Sequence, residues 1–126
     1  MLGMKKSLRH GQLHEFDRRG PVLVEADELP GDLPLLAEDY RAFGGTLRAL
    51  LIPRDRHRIE VEVEYAAWRM VVGQLPEPVT RDFYPLLRRM ERHGDVAMCV
   101  ATIEGGSSAK GSRSSEPYQV WLNPAA

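Results

Sequence analysis

A single cysteine, Cys99, in a chain of 126 residues rules out an internal disulfide. The expected setting is therefore reducing and cytoplasmic. No apolar run approaches the ~20 residues that a membrane-spanning helix needs. The first residues, MLGMKKSLRHGQLHEF, are basic but hold no apolar stretch of the kind a secretory signal carries. Aromatic residues are sparse at 7%, and the net charge of -1 argues against a globally basic nucleic-acid binder. No Ser-His-Asp, zinc or dinucleotide pattern is present, so the chain reads as non-enzymatic, with no cofactor.

What is present is a sizeable apolar fraction, 43%, enough for the core of one domain. Residues 1–20 are polar and aperiodic and read as an N-terminal arm, leaving 21–124 as a single domain. Charge is segregated in the first half. Glu25, Asp27, Glu28, Asp32, Glu38 and Asp39 fall in a stretch without Lys or Arg, and Arg41, Arg48, Arg54, Arg56 and Arg58 follow with Asp55 as the sole acid among them. Such a separation sets up a local field even when the sum is near zero.

The clearest periodic signal is IEVEVEY, residues 59–65, where Ile59, Val61, Val63 and Tyr65 alternate with Glu60, Glu62 and Glu64. One face packs on a core and the other meets water. Further strands are expected at 21–26, 46–53, 68–73, 96–103 and 117–122, the fourth of these (96–103) apolar on both faces and hence central. A short helix is expected over 34–43, with Leu35, Leu36, Tyr40 and Phe43 as its apolar stripe, Asp32 as N-cap and Gly44-Gly45 as its stop. A second carries Phe83, Leu86, Leu87 and Met90 at helical spacing and ends at Gly94. Pro85 fits only a first turn, which puts the start of this helix near Asp82, with Arg88, Arg89, Arg92 and His93 in its last turn. The fold class is therefore mainly β (α+β): about six strands and two short helices in a small barrel or sheet.

Several groups invite a chemical reading. Cys99 lies in an apolar strand without a neighbouring His and reads as a small buried hydrophobe. His10 and His14 have the i, i+4 spacing of metal ligands but lack a third clustered ligand. The glutamate row reads as a solvated strand face that discourages edge pairing, with hard-cation binding the rarer alternative. RDRHR, residues 54–58, places Arg54, Arg56, His57 and Arg58 in a turn between strands, where they suit phosphate contacts or pair locally with Asp55 and the glutamates. Lys110 and Arg113 sit in a Gly/Ser-rich loop, 104–116, that suits an anion or a mobile tip and is not a P-loop. Tyr65 and Tyr118 are the rings to place against the basic turn.

TLRALLIP, a turn, IEVEVEY, a strand ending VVGQLP and then a helix together resemble the HIRAN domain. The extension FYPLLRRMERHGDVAMCVATIEGG…PYQVWLNP is similar to the tail of actinobacterial relatives, so that the resemblance covers about residues 46–124. It implies a small SH3/OB-like β-barrel that binds DNA, especially single-stranded 3′ ends, and is not an enzyme. RDRHR stands where that family carries Asn-Pro-Tyr-Asp, and Gln74 where an aromatic is common. The expected contacts are therefore to the phosphate backbone, through Arg54, Arg56, His57 and Arg58. The alternative is a protein-interaction or structural module that keeps the fold without recognising DNA ends.

Overall fold

The computed structural model describes residues 20–106 and 117–123. The arm with His10 and His14, and Lys110 and Arg113 of the Gly/Ser loop, lie outside the described residues. In chain order the elements are β1 (Val22–Leu23), α1 (Leu33–Phe43), β2 (Leu47–Asp55), β3 (Arg58–Tyr65), β4 (Trp68–Gln74), α2 (Glu77–Arg92), β5 (Ala97–Glu104) and β6 (Gln119–Asn123). The strands form one antiparallel sheet in the order β1-β6-β5-β2-β3-β4. The result is mainly β, a six-stranded sheet curled into a half-barrel with two helices, as the strand-rich sequence pattern requires.

The curl brings the two sheet edges together. Val24 still donates its N–H to the Val120 carbonyl of β6 at 2.9 Å. One residue later the chain changes partner, and Glu25 and Gln74 exchange both backbone hydrogen bonds, at 2.9 and 2.8 Å. A β-bulge in β4 opposite Val61–Glu62 bends that edge inward. Gly73 is the residue that permits the approach. Its φ of 153° lies where L side chains are strained, and a Cβ would collide with the Glu25 carbonyl oxygen and lie 2.8 Å from Val24 Cγ1. The strand expected over 21–26 is thus a two-residue ladder followed by this exchange.

Alternation sorts the strands as expected. Leu47, Ala49, Leu51, Ile59, Val61, Val63, Ala97, Cys99, Ala101, Val120 and Leu122 join one buried cluster. β5 is central, between β2 and β6. Both helices bury their apolar residues in the same cluster, Leu33, Leu36 and Ala37 from α1 and Phe83, Leu87 and Met90 from α2.

The helices depart from expectation in three places. α1 turns Leu33, Leu36, Ala37 and half-buried Tyr40 inward, while Leu35 and Phe43 are exposed, because the packed face is offset by part of a turn from the one the leucines suggest. Asp32 occupies the N-cap position but makes no side-chain capping bond. α2 starts at Glu77, not near Asp82, with Pro78 in its first turn and Pro85 in its interior. An interior proline costs about 3 kcal/mol. Burying Phe83, Leu87 and Met90 contributes about 1.5–3 kcal/mol each, so packing outweighs the broken backbone bond. The earlier start takes Asp82 out of the first turn, and the end at Arg92 leaves Arg89 and Arg92 in the last turn without Arg88, with His93 as the C-cap.

Candidate nucleic-acid interface

RDRHR is mostly strand. β2 runs through Asp55 and β3 begins at Arg58, so only Arg56 and His57 form the turn. Asp55 Oδ1 accepts the His57 backbone N–H at 2.7 Å and fastens that turn from within. Asp55 is therefore engaged with the backbone, and the flanking arginines go elsewhere. Arg54 donates from Nε and Nη2 to Glu60 Oε1, at 3.2 and 2.8 Å. Arg58 Nη2 reaches Glu60 Oε2 at 3.3 Å. Residues 54, 58 and 60 share the outer face of the hairpin, which is why one carboxylate holds both guanidinium groups. The hydrogen bond to Glu60 and its charge raise the Arg54 pKa above its ordinary value.

The same pairing runs along the glutamate row. Arg69 on β4 binds Glu62 and lies 3.7 Å from Glu64. The row is an ion-paired ladder across β2, β3 and β4, a correction to the reading of freely solvated carboxylates. Among the described residues no cluster of three His, Cys, Asp or Glu has metal-ligand geometry, and no described helix is long and apolar enough to cross a membrane.

The hairpin tip leans over α2. Arg56 and His57 face Glu77, Arg81, Tyr84 and Pro85 across a groove of about 240 Å³. Positions 77, 81 and 84 lie on one face of α2, beside the buried stripe of 83, 87 and 90. Arg81 Nη2 donates to Glu77 Oε1 at 3.1 Å, one turn away. The half-buried Tyr84 ring is thus walled by two arginines, a histidine and Pro85. This arrangement offers a stacking surface with cationic donors at its rim.

Tyr65 and Tyr118 take no part in it. Tyr65 is buried, packs edge-on against Tyr40 with centroids 5.5 Å apart, and donates its hydroxyl to the Gly44 carbonyl at 2.6 Å. Tyr118 lies under the Arg41 guanidinium, 5.7 Å from the ring centroid, while Arg41 also donates to the Gly105 carbonyl. These contacts, with Trp68 Nε1 donating to Asp39 Oδ2 at 2.9 Å, tie α1 to the sheet. Sequence reasoning missed Arg81 and Tyr84. The signal was the polar face of the second helix, but what turns it into a site is a hairpin remote in sequence. On the other flank of the hairpin, Arg58 borders a hollow of about 410 Å³ lined by Glu25, Asp27 and Glu28, which disfavours an anion on that side.

Burial disposes of Cys99 as a nucleophile. It is enclosed in the core, and desolvation pushes its thiol up from 9.0 to about 12.

Comparisons of the chain with protein-family models, with curated proteins and with solved structures return no match. The class that stands on geometry is a curled, barrel-like antiparallel sheet plugged by two helices, with a cationic, tyrosine-bearing groove where one hairpin meets the longer helix.

Proposed function

We propose that this protein is a non-enzymatic, HIRAN-like module that binds nucleic acid through the phosphate backbone, with single-stranded DNA as the preferred ligand. The observation that carries the reading is the groove of Arg56, His57, Arg81 and Tyr84. An unstacked base lies on the Tyr84 ring, and Arg56 and Arg81 take the flanking phosphates, Arg81 giving up an ion pair with Glu77 that is weak because both side chains are exposed. Arg54 and Arg58, held by Glu60, shape the hairpin more than they bind.

Titration of labelled single- and double-stranded oligonucleotides at 50 and 200 mM salt tests this reading. Two to three phosphate contacts predict an affinity about 7- to 20-fold lower at the higher salt for single strands. Tyr84→Ala is expected to cost about 1–3 kcal/mol of binding. Arg56→Ala should weaken all sequences alike and flatten the salt dependence. No binding at 50 mM salt overturns the proposal.

A second reading, a protein-interaction module, rests on one specific feature. Phe43 at the end of α1 is 81% exposed, and Leu35 of the same helix is also exposed. Light scattering and affinity capture separate the two readings. A monomer that binds DNA and retains no protein partner removes the second.

A further inference from the structure

The outer face of the sheet is unusually dry. Leu50 of β2 points away from the core cluster and is absent from it, yet it is only 2% exposed. Its partners across the ladder are Glu62 of β3 and Met98 of β5. The side chains of Glu60, Glu62 and Glu64 are only 12, 15 and 19% exposed on what the alternation makes the solvent side. Met98 and Val100 of β5, with Trp121 of β6, continue the apolar surface beyond Leu50, and all three are half-buried. Both described helices bury apolar residues in the inner cluster, and the large ones left over on α1, Leu35 and Phe43, are exposed, so neither helix covers this face.

We propose that residues 1–19 cover it, docking in cis across β6, β5 and β2 with their basic side chains against the glutamates of β3. Three observations support this occupant. The first is charge. The segment carries Lys5, Lys6, Arg9, Arg18 and Arg19 against Glu15 and Asp17, and the row it meets presents three carboxylates, Glu60, Glu62 and Glu64, whose oxygen lone pairs are shared with Arg54, Arg58 and Arg69. The second is pattern. Met4, Leu8, Leu13 and Phe16 are interspersed with those cations, matching an apolar stripe bordered by carboxylates. The third is reach. The described chain begins at Gly20, next to β1 at the sheet edge, and β3 lies four strand steps away, about 19 Å. Nineteen residues span about 28 Å as a helix and about 60 Å extended. The both-sided apolarity of β5 has the same cause: its Cys99 face meets the core and its Met98 face meets this cover.

The test is carbodiimide coupling of the full chain, using an equal mixture of ¹⁵N-labelled and unlabelled protein, read by peptide mass spectrometry. The reagent joins a lysine amine to a carboxylate in contact with it, with loss of water. The expected product links Lys5 or Lys6 to Glu60, Glu62 or Glu64 in peptides of a single isotope. Mixed-isotope links identify a second copy as the occupant and overturn docking in cis. Lysine links that avoid β3 overturn it as well. Amide hydrogen exchange provides an independent readout. Residues 4–16 are expected to exchange at least about tenfold more slowly than a free peptide of the same sequence, and exchange at the free-peptide rate refutes the proposal. Both measurements read the arm without nucleic acid, so they stand or fall separately from the oligonucleotide titration.

Discussion

Cys99 shows how far one residue's behaviour follows from its strand. It alternates with Met98 and Val100 and faces the core, where desolvation disfavours a thiolate. Its folded-state pKa of about 12 lies above the ordinary 9.0, so between these values the unfolded chain holds fewer protons than the folded one. The stability from keeping this thiol neutral is fully present below pH 9 and is lost as pH rises toward 12, at a limiting slope of about 1.4 kcal/mol per pH unit. Denaturant melts between pH 8 and 11 check this, with Cys99→Ala as the comparison. The expected result is that the alanine variant, lower in stability at pH 8, loses less on going to pH 11. Equal losses contradict it. The glutamates present the opposite case. Their alternation was plain in the sequence, but which arginines they hold was not, because Arg54, Arg58 and Arg69 arrive from neighbouring positions of a folded sheet.

At the scale of elements, α2 is the instructive case. Its stripe of Phe83, Leu87 and Met90 was legible, and its length was not, because Pro85 read locally as a barrier. The helix runs through the proline because the sheet supplies a surface on which those three side chains are buried. It follows that Pro85→Ala, which restores the hydrogen bond to the Arg81 carbonyl, should raise stability by about 1–3 kcal/mol, measured by urea denaturation with an unchanged slope. Loss of stability on that substitution means that the proline ring's own contacts in the groove matter more than the backbone bond. The β2–β3 hairpin shows a related shift. A turn of five residues read from composition contracts to two, since Arg54 and Arg58 have a cross-strand carboxylate to hold and Asp55 is spent on the His57 N–H.

For the whole molecule, closure of the curled sheet depends on one narrow passage, the Glu25–Gln74 exchange beside Gly73. Gly73→Ala puts a Cβ into the Glu25 backbone at a φ that alanine does not favour, and a cost of about 2 kcal/mol or more is expected in thermal or chemical melts. Amides near Glu25 and Gln74 should lose protection first, and a neutral substitution contradicts the close approach. The strand-rich class, the core face of β3, the centrality of β5, the apolar stripe of α2 and the burial of Cys99 were determined by the sequence alone. Each rests on local periodicity, which fixes the face a side chain takes regardless of partners. Only the tertiary structure decided that β1 hands over from β6 to β4, that Tyr65 and Tyr118 brace α1, and that Arg56 and His57 meet Arg81 and Tyr84 across a groove. Those features join residues far apart in the chain, and their pairing is set by sheet order, bulge and helix docking, which no local pattern encodes.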